Sequence, residues 1–216
     1  SGVYQSASHR IVPVSDCMIE DTVADRIIVT IRGLLKSFKI RPYDEDTGRG
    51  TLRHVLVRRG WRSGEILVVL VTAHGMLPGK RNFVRALLQR HPDITTIVQN
   101  INAGQTSLVL GPHSEVLYGP GYIHEQLGDF TFRISPRAFY QINPVQTEVL
   151  YEKAVELADL KGDETVLDLY CGIGTISLFF ARKARQVFGV EIVPEAIADA
   201  RKNAERNNIT NATFAV

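Results

Sequence analysis

The chain has 216 residues, of which 44% are hydrophobic and 22% are charged, and its formal net charge is +2. This is the composition of an ordinary globular protein with one large domain or two small ones. The mildly basic charge neither requires nor excludes a nucleic-acid partner. Two cysteines, Cys17 and Cys171, are too few for a disulfide framework, so we expect a reduced, cytoplasmic setting.

The sequence predicts neither a membrane span nor a signal peptide. No run of about 18 apolar residues is present, so a membrane span is not expected. The first five residues lack the basic and apolar regions of a signal peptide. Because the chain starts at Ser1 without methionine and stops at Val216 inside a predicted strand, we expect a fragment of a longer protein.

Residues 1–137 are predicted to form an α+β domain. A short strand is expected at 9–14, and a helix begins at Asp21 or Thr22, since apolar residues then recur every three or four positions as far as Phe38. A second helix is predicted over 80–90. Strands are predicted at 51–59, 65–72, 94–101, 107–110, 115–118 and 130–134, with a hairpin at 60–64 between the first two.

Residues 138–216 have a different character. Asn143 and Pro144 form a helix-start signal, with a capping side chain followed by proline at the first helical position. From Glu164 the pattern is strand, helix, strand, helix, strand, which predicts a parallel sheet with right-handed crossovers. The predicted elements are 165–170, 175–184, 186–191, 194–207 and 212–216.

The residues with the clearest chemical meaning lie between the first of these strands and its helix. Gly172 and Gly174 allow a tight turn and let a ligand approach the backbone. Glu191 ends the second strand, where an acid can accept hydrogen bonds from both ribose hydroxyls of an adenosine ligand. The third glycine of the dinucleotide pattern is replaced by Ser177, which disfavours NAD and favours an adenosine ligand without a pyrophosphate. The alternative is a glycine pair that serves only as a turn.

Two motifs together resemble the RNA uracil-5-methyltransferase family, the RumA and TrmA group. The first is Asp-Leu-Tyr-Cys-Gly-Ile-Gly-Thr at 168–175, and the second is Phe-Tyr-Gln-Ile-Asn-Pro at 139–144. The resemblance extends over the whole chain. It implies an α/β fold, in which a partial Rossmann-like domain that depends on S-adenosyl-L-methionine follows an α+β central domain.

The resemblance also implies a set of cofactor contacts. Gln141 matches the family's cofactor-contacting glutamine, Tyr170 the aromatic residue beside the methionine or adenosine part, and Glu191 the ribose-binding acid. Gly172, Gly174 and Thr175 match the cofactor loop. A complete domain of this type has a seven-stranded sheet with the strand at Val166 in its middle. We therefore expect this chain to leave a hydrophobic sheet edge, covered by further residues or by an intermolecular contact.

The family's reaction needs groups that this chain is not expected to supply. A cysteine thiolate adds to C6 of uracil, C5 then attacks the methyl group, and a base removes the C5 proton. In the family the nucleophile lies well beyond the cofactor loop. Cys171 lies in the loop itself and is interpreted as a small buried residue, so we predict no catalytic residue in this chain and no methyl transfer by it alone.

Cys17 is the one candidate metal ligand. Its context, Val-Ser-Asp-Cys-Met-Ile at 14–19, resembles the site where many members place the last cysteine of a four-iron, four-sulfur cluster. One cysteine cannot hold a cluster. The resemblance implies that the intact protein carries the cluster, and the alternative is an ordinary free thiol.

The expected partner is RNA. Basic residues gather around the hairpin and the following helix, beside His54 and Trp61; they are Arg53, Arg58, Arg59, Arg62, Lys80 and Arg81. Such a cluster predicts a surface that tracks phosphates, with Arg53, Arg58 and Arg59 as the main contacts; a merely solvated face is the alternative. The Cys17 context resembles that of the cluster-bearing ribosomal members of the family, and this resemblance implies 23S ribosomal RNA in preference to transfer RNA.

Three other functions stay open at this point. One is a non-catalytic module that holds RNA or the adenosine ligand. Another is an NAD-linked oxidoreductase, against which Ser177 argues. The third is a methyltransferase for small molecules or proteins, which the Gln141 motif and the long basic N-terminal part make less favoured.

Overall fold

A computed structural model describes residues 2–8 and 10–216, and it describes only the backbone of Tyr4. Its contacts divide the chain into two compact units. The first comprises Ser1–Arg59 and Glu65–Gly121, and the second comprises Gly60–Gly64 and Tyr122–Val216.

The first unit is a four-stranded sheet with two helices on one face. Its elements are β1 (Gly2–Tyr4), β2 (Ile11–Pro13), α1 (Thr22–Ser37), β3 (Leu52–Arg59), β4 (Ile66–Thr72), α2 (Lys80–Arg90), β5 (Ile94–Ile101) and β6 (His113–Tyr118). The sheet order is β3-β4-β5-β6, and only the β4–β5 pair is parallel. Strands β1 and β2 form a separate antiparallel pair.

The core of the first unit lies between this sheet and its helices. Because side chains alternate along a strand, Ile66, Val68 and Leu70 of β4 point to one face. They pack with apolar residues of α1 and α2, including Ile27 and Phe83. Helix α1 starts as predicted, since the Asp21 carboxylate accepts hydrogen bonds from the backbone N–H groups of residues 23 and 24.

The second unit combines a β-hairpin with a parallel sheet and three helices. Its elements are β7 (Ile123–Leu127), β8 (Phe130–Ile134), α3 (Pro144–Ala158), β9 (Thr165–Asp168), α4 (Thr175–Ala181), β10 (Gln186–Val190), α5 (Pro194–Arg206) and β11 (Ala212–Ala215). The parallel sheet has the order β11-β10-β9, which matches the predicted strand–helix alternation.

Two asparagines, Asn203 in α5 and Asn207 just after it, join the hairpin to this α/β part. The Asn207 side chain accepts from the Thr131 N–H and donates to its carbonyl, both at 2.8 Å. One helical turn earlier, Asn203 pairs in the same way with Arg133. Since a side-chain amide carries a donor and an acceptor like a peptide group, these amides satisfy the outer edge of β8. The hairpin thus belongs to the second compact unit, which includes Tyr122–Val216.

One predicted strand was wrong, and one observed strand was missed. No strand forms at 107–110, because the Asn102 amide donates to the carbonyls of Leu108 and Val109 and holds this segment as a loop. Strand β7 was not predicted at all. The helix at 175 ends at Ala181 instead of residue 184, where the Asn211 amide donates to the carbonyls of Ala181 and Ala184. In the first predicted strand, residue 9 lies outside the described residues.

Strand β9 lies at one edge of the parallel sheet, as expected. Leu167 on this strand and Leu169 just after it are 59% and 58% exposed. The chain therefore leaves apolar side chains uncovered at the strand that precedes the glycine pair. Among the described residues, no helix is both long enough and apolar enough to span a bilayer.

Candidate cofactor site

The loop between β9 and α4 is shaped by two glycines with positive φ angles. The φ of Gly172 is +54° and that of Gly174 is +83°, a region that other residues adopt only with strain. A Cβ atom at Gly172 would meet nothing within 4 Å, so this backbone faces open space. A Cβ atom at Gly174 would lie 3.1 Å from the Phe214 ring and 3.4 Å from Ala200, so the second glycine permits close packing instead.

Backbone hydrogen bonds fix the loop against the sheet. The Cys171 N–H donates to the Val190 carbonyl of the neighbouring strand at 3.1 Å, and the Gly174 N–H donates to the Cys171 carbonyl at 2.8 Å. The Asn203 amide also donates to the Ile173 carbonyl at 3.0 Å. The loop is therefore held from the sheet side and from α5, while Gly172 stays bare.

Ser177 has a structural role that the sequence did not reveal. Its hydroxyl donates to an Asp168 carboxylate oxygen at 2.5 Å, and Ser177 is fully buried. The other Asp168 oxygen accepts from the Tyr170 N–H at 3.4 Å. In the sequence, Ser177 is recognisable only as the residue that replaces a glycine, although Asp168 belongs to the neighbouring motif at 168–175. The serine orients the acid at the end of β9.

Glu191 lies at the same edge of the sheet. In parallel strands the carboxyl ends meet at one edge, and Gly189 of β10 is in register with Asp168 of β9. Glu191 is half-buried; its N–H donates to the Ala215 carbonyl, and its carboxylate accepts from the Val193 N–H at 3.0 Å. This hydrogen bond orients the carboxylate just after the strand.

Tyr170 is 90% exposed and precedes the glycine pair. An aromatic ring of this exposure offers a flat apolar surface against which a planar base can stack. Ile192, which follows Glu191, is also exposed. The carboxyl edge of the sheet thus combines a bare backbone, an oriented acid and free apolar side chains.

Gln141 is exposed in the segment just before α3. That helix starts at the predicted cap, since the Asn143 side chain accepts from the Gln146 N–H at 3.1 Å. Within α3, the Tyr151 hydroxyl lies 3.1 Å from the Thr175 hydroxyl, which ties the helix to the end of the glycine loop. Burial raises the pKa of Tyr151, so its phenol stays protonated at neutral pH.

Cys171 is not suited to nucleophilic chemistry. The residue is only 4% exposed. Burial, together with the nearby Asp168 and Glu191 carboxylates, raises the pKa of its thiol to about 12. Because the thiolate is the reactive species, a thiol of this pKa is inert near neutral pH. The structure supports the interpretation of Cys171 as a small buried residue.

The three candidate RNA contacts do not form one exposed cationic surface. The Arg53 side chain is 1% exposed; it donates to the Asn102 and Gly104 carbonyls and pairs with Glu45. Burial lowers the pKa of Arg58, and one of its guanidinium nitrogens is buried without a partner. Arg59 pairs with Asp21 at 3.0 Å and is partly exposed.

Cys17 is half-buried, and its N–H donates to the Asp25 carboxylate at 3.0 Å. Over residues 2–8 and 10–216, no group of three His, Cys, Asp or Glu side chains is arranged to hold a metal ion. These residues alone therefore do not fit an iron–sulfur cluster, and the cluster stays a prediction.

Comparison with known proteins places this geometry in a methyltransferase fold. Residues 160–216 match the family model described as a methyltransferase domain. The chain also superposes on a tRNA (uracil-54, C5)-methyltransferase of Pyrococcus abyssi, solved in complex with S-adenosyl-L-homocysteine. The TM-score is 0.80 at 28% identity, over 96% of this chain and 50% of that protein. The expected fold class, a partial Rossmann-like domain of S-adenosylmethionine-dependent methyltransferases after an α+β domain, is confirmed.

Two relatives with similar sequences are both named as RNA methyltransferases. An uncharacterized RNA methyltransferase of Halalkalibacterium halodurans is 49% identical, and one of Oceanobacillus iheyensis is 46% identical, each over the full 216 residues. This chain covers 47% of the length of each of them, so it spans about half of the curated relatives it matches.

Proposed function

We propose that this chain is the cofactor-holding part of an RNA methyltransferase that uses S-adenosyl-L-methionine and acts at C5 of a uridine. The observation that carries the proposal is the carboxyl edge of the parallel sheet, where bare Gly172, exposed Tyr170 and oriented Glu191 lie after neighbouring strands. The names of the relatives support RNA as the substrate, and the name of the superposed protein supports C5 of uracil as the position.

Each residue has a defined role in this proposal. Glu191 accepts hydrogen bonds from the ribose hydroxyls, and Tyr170 packs against the methionine or adenosine part. Gly172, Gly174 and Thr175 form the loop that admits the cofactor. Gln141, which is exposed just before α3, also contacts the cofactor. When bound, S-adenosylmethionine supplies the methyl group.

A titration tests the cofactor assignment directly. In isothermal calorimetry the chain is expected to bind S-adenosylmethionine and S-adenosylhomocysteine, and Glu191→Ala is expected to lose most of that affinity. Loss of two charge-assisted hydrogen bonds corresponds to about 100-fold, at about 1.5 kcal/mol each. Lys202→Ala, on the exposed face of α5, is the matched control. Binding of NAD in place of these ligands would instead favour the oxidoreductase.

Methyl transfer itself is expected to fail with this chain alone. Among the described residues Cys171 has the properties of an inert thiol, and the family's reaction needs a thiolate that attacks C6. RNA incubated with the 216-residue chain and radiolabelled cofactor should therefore show no 5-methyluridine by nucleoside mass spectrometry. Formation of this nucleoside would contradict the division of labour that we propose. Cofactor binding without any RNA binding would favour a module of another kind.

The RNA class has two candidates. The Cys17 context is similar to that of the cluster-bearing ribosomal members, which favours 23S ribosomal RNA. The superposed Pyrococcus protein acts on transfer RNA, which makes a tRNA uridine the second candidate. Competition between ribosomal fragments and tRNA transcripts for binding to the chain separates the two.

A further inference from the structure

Helix α2 is strongly basic. In 11 residues it carries Lys80, Arg81, Arg85 and Arg90 and no acidic residue. Its apolar side chains are buried, namely Phe83, Val84 and Leu87. The helical period therefore turns the arginines toward solvent, and Arg81, Arg85 and Arg90 are all exposed.

The neighbouring helix extends this basic face. Helices α1 and α2 pack antiparallel, since the Phe38 ring contacts Phe83 and the His91 ring nitrogen Nε2 lies 2.7 Å from the Thr30 hydroxyl. The start of α2 thus lies beside the end of α1, where Lys36 and Lys39 are exposed.

At the other end of the helix pair, nearby charges shift the pKa of His91. Burial lowers the pKa of His91, and the positive charges of Arg26 and Arg90 lower it further, while Asp93 opposes them. Both arginines therefore lie close to this ring. Arg26 is exposed on α1. We call this surface, formed by Arg26, Lys36, Lys39, Arg81, Arg85 and Arg90, the cationic helix layer.

Few acids neutralise the cationic helix layer. The single acidic residue of α1, Asp25, is buried and accepts from the Cys17 N–H. Lys80 pairs with Glu115 at 2.8 Å. In the part of the chain that the structure describes, no ion pair involves Arg26, Arg81 or Arg85. The guanidinium of Arg90 donates to the Ala86 carbonyl of its own helix at 3.1 Å, and Asp93 is the acid that acts on His91 beside it.

The chemistry of the layer fits phosphates. A helix that lies on a membrane needs a free apolar face, but the apolar faces of α1 and α2 are buried in the core of the unit. Arginine binds phosphate oxygens with two parallel hydrogen bonds, and α2 is about 16 Å long, enough to follow several phosphates. By contrast, Arg53 is buried in internal contacts and Arg59 is paired with Asp21.

We propose that the cationic helix layer, and not the β3 arginines, is the surface by which this chain binds the phosphate backbone of RNA. The proposal rests on the proposed function, from which it takes RNA as the partner. It predicts a contact that depends strongly on salt and weakly on sequence.

Fluorescence anisotropy with a labelled, single-stranded, uridine-containing RNA oligonucleotide tests the proposal. The variant Arg81→Gln/Arg85→Gln/Arg90→Gln keeps good helix formers and removes three charges. It is expected to bind about tenfold or more weakly near 0.1 M salt. The slope of log K against log salt should become shallower by about 2, since each lost phosphate contact removes about 0.7 to 0.9.

The matched control removes three exposed charges from the second unit, as Lys183→Gln/Lys202→Gln/Arg206→Gln. It should bind RNA within about twofold of the unmodified chain. Equal losses in both variants would show only an effect of net charge and would overturn the proposal, as would an unchanged slope in the α2 variant. Loss of binding to phosphatidylserine vesicles with RNA binding intact would assign the layer to membranes and also overturn it.

Failure of this proposal can be told apart from failure of the proposed function. If the unmodified chain binds S-adenosylhomocysteine but the α2 variant keeps its RNA affinity, only the cationic helix layer is wrong. If the chain does not bind the cofactor, the proposed function fails whatever the arginines do.

Discussion

Gly172 and Gly174 stand two positions apart in one motif and serve different physical needs. Both require a positive φ angle, but only Gly174 packs against neighbouring side chains, those of Phe214 and Ala200. Gly172 keeps its backbone accessible. The motif predicted a tight turn and a close approach together, and we propose Gly172 for the close approach because a Cβ atom there would meet nothing within 4 Å.

Alanine substitutions at Gly172 and Gly174 separate the cost of backbone strain from the cost of lost packing space. Gly172→Ala is expected to lower the free energy of unfolding by about 1 kcal/mol, from backbone strain alone. Gly174→Ala should cost about 3 kcal/mol, because strain adds to overlap with the Phe214 ring. Urea denaturation followed by circular dichroism measures both. Equal losses in the two variants would contradict the packing role of Gly174.

The buried thiol of Cys171 is predicted to be unreactive in the folded chain. Since burial raises the pKa of Cys171 to about 12, its thiol stays protonated in the folded chain at pH 8 and ionises less than in the unfolded chain. Iodoacetamide at pH 8 should therefore modify Cys171 only after denaturation. Peptide mass spectrometry of native and urea-treated samples reads this out. Rapid labelling of Cys171 in the native chain would reopen it as a nucleophile.

The raised pKa also has a consequence for stability at high pH. The folded form disfavours ionisation, so the contribution is complete below the unfolded pKa near 9 and is lost as pH rises toward about 12. Each pH unit in this window costs at most about 1.4 kcal/mol for one such group. Cys171→Ala should therefore flatten the fall of melting temperature between pH 9 and about 11. A parallel fall in both proteins would contradict the assignment.

At the scale of elements, α5 does more than cross between two strands. Asn203 in α5 and Asn207 at its C-terminal cap pair with β8 as a strand would, and Asn203 also donates to the Ile173 carbonyl in the glycine loop. The hairpin and the loop are thus fixed by the same helix face. Sequence periodicity shows the apolar side of such a helix, but it does not show which amides replace a missing strand.

The two asparagines form a matched pair for mutation. Asn203 is fully buried, so Asn203→Ala leaves unpaired backbone groups at Arg133 and Ile173, and we expect a loss of about 3 kcal/mol. Asn207 is only half-buried, so water can replace its amide and Asn207→Ala should cost about 1 kcal/mol. Chemical denaturation measures both. A larger loss at Asn207 would contradict the proposed difference in solvent access.

The elements that were predicted correctly are those set by local signals. Asp21 and Asn143 cap their helices as expected, because a side-chain oxygen close to the first turn suffices. Strand β7 escaped prediction because a buried carboxylate, Glu125, interrupts its apolar pattern. That carboxylate accepts from the Arg62 N–H, a contact 63 residues away in the chain. Such a partner cannot be read from periodicity.

For the whole molecule, the uncovered sheet edge is the main consequence of the topology. The sequence predicted both the three parallel strands and the exposed edge at β9. The sequence did not predict which arginine side chains would be exposed and which would be buried. The Arg53 guanidinium donates to the carbonyls of residues 102 and 104, which lie far along the chain. Arginines that are close in sequence therefore do not share one surface.

The exposed edge predicts self-association of this chain. An unpaired strand with apolar side chains is a template for pairing with another chain, and Leu167 is exposed on β9. Light scattering of the 216-residue chain should show larger species as concentration rises. Leu167→Lys should reduce them, since a charge on an edge strand opposes pairing. Thr210→Lys, on the exposed turn before β11, is the control and should have little effect.

The most direct test of the account is an amide chemical-shift titration of the isotope-labelled chain with S-adenosylhomocysteine. We predict shifts concentrated at Gln141, Tyr170, Gly172, Gly174, Thr175 and Glu191, with the first unit nearly unchanged and NAD without effect. Shifts confined to other residues, or a response to NAD alone, would contradict the claim that this sheet edge holds the cofactor of a methyltransferase.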